Sequence, residues 1–107
     1  MWGWLRLAPA AALLLFVPSA AAAAPRTHVV VMDKMKFGAA PAGIRTGDTI
    51  LWVNRDMFRH TATAANGAFN IDLAAGAKGR TVVRKAGTFP FICKFHPGMR
   101  GVLRVAK

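Results

Sequence analysis

The sequence has few of the residues on which disulfide-linked domains and acid–base enzymes depend. Among 107 residues there is one Cys, no Tyr, and only four acidic residues. A single Cys cannot form an intramolecular disulfide or a zinc site built from several thiolates. The length allows one small domain and leaves no room for a large enzyme with a deep cleft. A hydrophobic fraction of 54% excludes a disordered chain.

The first residues have the order of a secretory signal peptide. Arg6 supplies an early positive charge, residues 8–17 are apolar apart from one Pro, and residues 20–24 are all Ala. The apolar run is shorter than the roughly 20 residues of a membrane-spanning helix, so a membrane anchor is the less favoured alternative. We predict a cleaved signal peptide over residues 1–23, export to the periplasm or out of the cell, and a mature domain over residues 24–107.

The mature sequence indicates short strands. Apolar and β-branched residues form runs separated by Gly, Pro and Asp, and no stretch carries a capped helical stripe. Gly47-Asp48 is typical of a hairpin turn, residues 38–43 indicate a loop or an edge segment, and residues 74–79 are a predicted loop. Seven or eight strands with turns every 8–12 residues predict an all-β, single-domain β-sandwich. The predicted strands cover residues 28–32, 44–46, 49–54, 61–64, 80–85, 88–93 and 102–105.

A cluster of metal-binding residue types lies near the C-terminus. Cys93, His96 and Met99 are spaced three residues apart at the end of a predicted strand, in a turn that contains Pro97-Gly98. His60 lies 33 residues upstream of Cys93, at the start of another strand. Sulfur ligands favour copper, and two His, one Cys and a weak axial Met describe a blue-copper electron-transfer site. Met is a poor zinc ligand, so we predict copper as the cofactor.

Simpler interpretations of the same residues exist. A lone Cys on a strand is most often a small buried hydrophobe, a lone His is often a surface residue, and a lone Met is often part of the core. A Cys–His pair also occurs in thiol enzymes, but no carboxylate or amide stands near the cluster to orient the imidazole. The spacing of the three residues favours the metal site, and we predict that the protein is not an enzyme. His28, Met32 and Met35 offer a weak second copper site or are ordinary strand residues.

At these residues the chain resembles the cupredoxins, the type 1 blue copper proteins of the plastocyanin and azurin family. Within that family the two-residue gap between His96 and Met99 is similar to the short ligand loop of the amicyanins. The resemblance covers nearly all of the mature chain. The matching segments are Gly47-Asp48-Thr49, Trp52-Val53-Asn54 with His60, Gly87-Thr88-Phe89, and Cys93 with His96-Pro97-Gly98-Met99 and Gly101.

The resemblance implies a Greek-key β-sandwich and a defined ligand set. By position, His60, Cys93 and His96 correspond to the equatorial copper ligands and Met99 to the axial ligand. Asn54 corresponds to the Asn that ties the two ligand-bearing segments together. The implied function is a small exported protein that shuttles single electrons between redox partners. The alternative is a periplasmic copper-binding or delivery protein that uses the same site.

Two departures from the amicyanin pattern and the net positive charge of the chain bear on which proteins or surfaces it binds. Arg59 stands where amicyanins usually have Pro and Phe91 where many members have Tyr, and Arg59 argues against the usual amicyanin partner, methylamine dehydrogenase. With Arg6 removed the formal net charge is +10, which favours acidic docking surfaces or an anionic membrane surface. Export argues against nucleic acid. We predict a monomer without stable membrane insertion, and a docking patch formed by Met57, Phe58, Phe95 and Pro97.

Overall fold

The structure is a computed structural model, and it describes residues 3–5, 9–15 and 24–107. Most of the predicted signal peptide, residues 1–23, lies outside these ranges, so the signal peptide and its cleavage stay predictions. Within the described ranges, no helix has both the length and the apolar character needed to cross a bilayer.

Residues 24–107 form strands joined by turns. The described ranges contain no helix, which confirms the all-β prediction. The strands are β1 (Thr27–Asp33), β2 (Lys36–Phe37), β3 (Ile44–Arg45), β4 (Thr49–Asn54), β5 (His60–Ala64), β6 (Asn70–Leu73), β7 (Lys78–Val82), β8 (Gly87–Ile92) and β9 (Arg100–Ala106).

The strands form two sheets that pack face to face. The first sheet has the order β2-β1-β4-β7 and the second has the order β3-β9-β8-β5-β6. Two pairs are parallel, β1 with β4 and β3 with β9, and the other pairs are antiparallel. Because most sequence neighbours are not sheet neighbours, the chain crosses between the sheets repeatedly. The arrangement confirms a single-domain β-sandwich.

The expected hairpin at Gly47-Asp48 is wrong. Gly47 has a φ of 93°, so a turn does form there. However, the strand before it, β3, pairs with β9, while the strand after it, β4, pairs with β1 and β7. The turn therefore carries the chain from one sheet to the other. The Gly47 N–H donates to the carbonyl of Val83, which fixes the turn against the end of β7 instead of across a hairpin.

Other strand boundaries also differ from the sequence prediction. β7 begins at Lys78, inside the predicted loop 74–79, because Lys78 and Gly79 pair with Val53 and Trp52 of β4. Gly79 lies under Ile71 of the opposite sheet, and a Cβ there would come within 2.8 Å of the end of that side chain, which would have to shift. β2 and β6 were not predicted, since each is short and lacks a run of β-branched residues.

The core is organised around aromatic side chains between the sheets. In β4, Ile50, Trp52 and Asn54 point inward and are fully buried. The Trp52 ring packs edge-on against Phe91 at a centroid distance of 5.2 Å, and its Nε1–H donates to Thr81 Oγ1. Gly101 lies opposite Phe91 in β9, and any larger residue there would overlap the Phe91 ring. The edge-to-face contact between Trp52 and Phe91 joins the two sheets, and Gly101 leaves room for the Phe91 ring within its own sheet.

Different strands begin and finish at the two ends of the sandwich. We call the end where β4 finishes at Asn54 and β5 begins at His60 the site end. The opposite end, where β1, β4 and β8 begin, is called the far end. Residues 24–26 enter the domain at the far end, since β1 begins there at Thr27.

Candidate metal centre

Two histidines and the single cysteine meet at the site end. Cys93 Sγ lies 3.7 Å from His60 Nδ1 and 3.6 Å from His96 Nδ1. All three atoms lie within 4.8 Å of one another. Bonds of about 2.0 Å to nitrogen and about 2.3 Å to sulfur, spread at about 120° around one ion, would separate S and N by about 3.7 Å. The spacing therefore fits a single shared metal ion.

The C-terminal loop holds three of the four predicted residues by main-chain hydrogen bonds. Cys93 directly follows β8, and its N–H donates to the carbonyl of Met99. The Met99 N–H donates in turn to the carbonyl of His96 at 2.8 Å. The turn does not require the glycine at position 98, because a Cβ on Gly98 would meet no atom within 4 Å and its φ is not positive. The main-chain hydrogen bonds of Cys93, His96 and Met99, and not a glycine conformation at position 98, therefore define this turn.

Thr61, which the sequence analysis did not single out, ties the two ligand-bearing segments together. Its N–H donates to Cys93 Sγ at 3.4 Å, and its Oγ1 accepts from the N–H of Lys94 at 2.8 Å. The residue follows His60 directly, so one dipeptide of β5 contacts Cys93 from two sides. Only the pairing of β5 with β8 reveals this role, because Thr is an ordinary strand residue in the sequence.

Asn54 supports the loop that precedes His60. Its Nδ2 donates to the carbonyls of Phe58 at 2.8 Å and Leu73 at 3.1 Å, and its Oδ1 accepts from the N–H of Asp56. These bonds join the His60 loop to the end of β6 and do not reach the Cys93 segment. Thr61, and not Asn54 as expected, therefore links the two ligand-bearing segments. Asn54 fixes only the loop that precedes His60.

A carboxylate does stand beside the cluster, contrary to the sequence interpretation. Asp56 Oδ2 lies 2.9 Å from His60 Nε2, and the same oxygen accepts from the N–H of Met35 at 3.0 Å. With Nε2 bound to the carboxylate, Nδ1 of His60 is free to face Cys93. Such a carboxylate fixes the tautomer and orientation of a metal-binding imidazole. The four-residue spacing between Asp56 and His60 was the available signal, and it gains meaning only from the turn between β4 and β5.

The protonation state of the thiol favours metal binding. Burial alone would raise the pKa of the Cys93 thiol, but hydrogen bonds from Thr61 N–H and from the His60 and His96 imidazoles lower it to about 6. Burial also acts to lower the pKa of His60, yet hydrogen bonds to Asp56 and Cys93 leave it raised overall. A thiolate is the form of Cys that binds metals, so the site is suited to a cation at neutral pH.

Burial separates the four residues into an enclosed set and one at the surface. His60 and Cys93 are fully buried and Met99 is 3% exposed. His96 is half-buried, and the Phe58 ring lies edge-on to it at 6.2 Å. Two imidazoles, a thiolate and a thioether are the donor types that copper prefers. His96 is the one member of this set that a molecule in solution can approach.

The alternative second site is not assembled. His28 lies near the start of β1 and its Nε2 contacts Asp48 Oδ2 at 2.8 Å at the far end. Met32 is fully buried in the core, and Met35 is in the turn after β1 near the site end. The three side chains are spread along the strand, so they act as ordinary structural residues.

Arg59 is close to the site but does not present a free charge. Its guanidinium forms two hydrogen bonds to Asp72 of β6, at 2.7 Å and 3.0 Å. The hydrogen bonds from Arg59 hold the pKa of Asp72 below its ordinary value. Lys94 also lowers it and is therefore near the same carboxylate. Most of the Arg59 charge is neutralised by Asp72, and Lys94 leaves this side of the site positive.

Comparisons with known proteins agree with this architecture. Residues 6–105 match the family model of the Cupredoxin-like domain. Amicyanin of Paracoccus versutus is 32% identical over 91 residues, covering 78% of this chain and 69% of that protein. Amicyanin of Paracoccus denitrificans is 29% identical over 98 residues, covering 78% and 68%.

Solved structures of amicyanin have the same fold. The crystal structure of amicyanin from Paracoccus versutus aligns with a TM-score of 0.62 at 28% identity, covering 72% of this chain and 78% of that one. The Cu(I) form of an amicyanin point mutant aligns with a TM-score of 0.67 at 27% identity, covering 78% and 85%. The family match over most of the chain and these alignments confirm the resemblance, and the chain belongs to the cupredoxin-like family.

Proposed function

We propose that this protein is a small exported electron carrier with one type 1 copper ion at the site end. The observation that carries the proposal is the convergence of His60 Nδ1, Cys93 Sγ and His96 Nδ1 at metal-sharing distances. These three atoms are the proposed equatorial ligands, and the thioether of Met99 is the proposed axial ligand. The family match and the Cu(I) state of an amicyanin relative support copper.

The polypeptide contributes rigidity to this site. Copper supplies the Cu(I)/Cu(II) couple when it is bound. Thr61 holds the thiolate, Asp56 holds the His60 ring, and Asn54 holds the loop between them. Each contact restrains a donor whatever the oxidation state, so little rearrangement accompanies electron transfer. His96 is the proposed route for the electron, since it is the exposed member of the set.

Burial argues against the two competing functions. Cys93, His60 and Asp56 resemble the members of a thiol-enzyme triad, but Cys93 is fully buried, so a substrate cannot reach its sulfur. A copper carrier needs ligands that a recipient can approach, whereas three of the four proposed ligands are enclosed. Electron transfer needs only an edge at the surface, which His96 supplies.

The partner surface of this function is the apolar patch around His96. Met57 is 80% exposed, Phe95 53% and Phe58 49%. We propose that this patch, with Pro97, docks redox proteins in the periplasm while the protein remains a monomer. Lys94 beside the patch favours partners with acidic docking surfaces.

Titration of the purified mature chain with Cu(II) tests the copper assignment. One equivalent should produce an intense visible absorption from thiolate-to-copper charge transfer, bleached by a mild reductant and restored by an oxidant. A colourless product, or copper that a chelator removes within seconds, contradicts the electron carrier. Rapid removal from a site that still forms stoichiometrically is the result expected of a copper carrier.

Electron self-exchange tests the patch. Phe95→Lys places a charge in the proposed contact between two molecules, so the self-exchange rate should fall about tenfold, which corresponds to about 1.4 kcal/mol. Val82→Lys is the matched control, because Val82 is also an exposed apolar residue, 44% exposed, but lies at the far end. Equal losses in both variants would show that net charge, and not the patch, limits the rate.

A further inference from the structure

Both ends of the sandwich carry a net positive charge, but they differ in how many acids accompany the cations, since the site end has seven Lys and Arg side chains against three carboxylates. Three of the four carboxylates, those of Asp33, Asp56 and Asp72, lie in the strands and loops of the site end. The far end has one carboxylate and six exposed cationic side chains. These are Arg26, Arg45, Arg84, Lys85, Arg104 and Lys107.

The single carboxylate of the far end does not face the solvent. Asp48 is 4% exposed. Its Oδ1 accepts from the Arg26 N–H, and its Oδ2 accepts from the Arg45 N–H and contacts His28 Nε2. Among the described residues, none of the ion pairs joins a Lys or Arg side chain of the far end to an acid. The surface of this end is therefore positive without internal compensation.

An apolar opening adjoins two of these cations. A cavity of about 290 Å³ lies between the turn before β6 and the loop after β7. Its apolar lining includes the rings and methyl groups of Phe89, Val82 and Val83, and Arg84 and Lys85 border it. An apolar recess beside two cations matches a molecule that carries an anionic group next to hydrocarbon.

The N-terminal residues of the mature domain lie at the far end. Residues 24–26 enter the domain at the far end, directly after the predicted apolar leader. Because the site end lies at the opposite end of the sandwich, contact between the far end and a membrane surface leaves the site end facing away from it.

We propose that the far end is a docking surface for anionic phospholipid headgroups, which keeps the exported protein on a membrane surface with its copper site facing outward. The cations bind the headgroup layer, and the apolar recess receives the glycerol and first acyl carbons of one lipid. Binding is peripheral and reversible, since it rests on surface charges and one apolar recess. This proposal does not depend on the copper site, because the residues that carry it lie at the opposite end of the sandwich.

Co-sedimentation of the mature protein with lipid vesicles tests the proposal. Vesicles with 30% phosphatidylglycerol in phosphatidylcholine are compared with pure phosphatidylcholine at about 0.1 M salt, where charges beyond about 10 Å are screened. Binding to the anionic vesicles should exceed binding to the neutral ones by at least about tenfold. Equal binding to both, or no binding to either, overturns the proposal.

A pair of charge-matched variants separates docking from general attraction. Arg84→Gln with Lys85→Gln should weaken binding to anionic vesicles by about 10- to 30-fold, at roughly fivefold for each cation at a membrane surface. Lys36→Gln with Lys78→Gln removes the same charge at the site end and should change binding by less than about threefold. Equal losses overturn the proposal. Vesicle binding that survives in the first variant, while binding to an immobilised acidic protein is lost, assigns the far end to a protein and also overturns it.

Discussion

Each end of the sandwich contains a histidine that contacts an aspartate, but only one of the two pairs lies beside other metal-binding side chains. At the site end Asp56 holds His60, and at the far end Asp48 holds His28, with N–O distances of 2.9 Å and 2.8 Å. The free nitrogen of His60 faces a thiolate and a second imidazole. No comparable donor cluster adjoins His28 in the described part of the chain. The same pair becomes part of a metal centre only where the fold adds further donors.

The largest effect on copper binding is expected from removal of the thiolate at the site end. Cys93→Ser deletes the sulfur ligand, so the intense visible absorption should vanish and copper affinity should fall by more than about 100-fold, beyond the effect of losing an outer contact. Absorption spectroscopy and competition with a chelator measure both. A blue Cys93→Ser protein would contradict the site assignment, since the chain has no second Cys.

The two aspartates provide the direct comparison. Asp56→Asn should lower copper affinity by about 10- to 100-fold, because it loosens the tautomer and orientation of His60. Asp48→Asn makes the same chemical change at the far end and should leave the affinity and the visible spectrum unchanged. Similar losses of copper in the two variants would mean that the effect comes from general destabilisation and would refute the positioning role of Asp56.

For stability in acid, unlike copper binding, the larger effect is expected at the far end, from Asp48. Hydrogen bonds from the Arg26 N–H, from His28 and from the Arg45 N–H lower the pKa of Asp48 to about 2. A carboxyl group whose folded pKa is lowered stabilises the fold above its unfolded pKa, and this contribution is lost as pH falls from about 4 to about 2. Urea unfolding at pH 5, 3 and 2 should show a smaller pH dependence for Asp48→Asn than for the wild type.

The wild type and Asp48→Asn have the same copper centre, so any release of copper in acid affects both equally and cancels in the comparison. Asp48→Asn should also be less stable than the wild type at pH 5 and approach it near pH 2. Parallel unfolding curves at every pH would show that Asp48 does not carry this acid dependence.

The smallest effects are expected at exposed arginines. Arg59→Gln breaks an exposed ion pair with Asp72, and Arg45→Gln removes a bond to the Lys107 carbonyl at the far end. Exposed ion pairs are screened by water and contribute little to stability, so both variants should unfold close to the wild-type midpoint. Thermal denaturation measures this. A spectral change in Arg59→Gln alone would show that the ion pair also shapes the His60 loop.

The local sequence signals predicted the site better than they predicted the connections. Three of the ligand candidates lie within seven residues, so their convergence follows from one turn after one strand. The strand β4 was predicted with its observed bounds because its β-branched run is bordered by Asp48 and Arg55. The turn at Gly47 was also predicted, but its destination was not, since a turn has the same sequence whether it closes a hairpin or crosses between sheets.

The missed residues are those whose roles depend on distant partners. Thr61 contacts Cys93 across 32 positions. Gly101 is among the segments that match the family, but the reason for a glycine there, the Phe91 ring that fills the space of a side chain, is visible only in the structure. Asp56 lies four positions before His60, yet a strand–turn–strand sequence does not specify which side chains in the turn meet. No periodicity or local propensity encodes these contacts.

The sequence by itself determined the type of chemistry, because a lone Cys with His and Met at short spacing leaves few metal sites open to a chain without other thiols. It also determined an all-β domain, through β-branched runs that cannot form helices with one apolar face. Only the tertiary structure brought His60 to Cys93, enclosed the sulfur, and placed three of the four acids at the site end and a single buried acid among the cations of the far end. Those outcomes depend on which strands pair, and pairing is decided by burial of the whole sheet faces and not by any one segment.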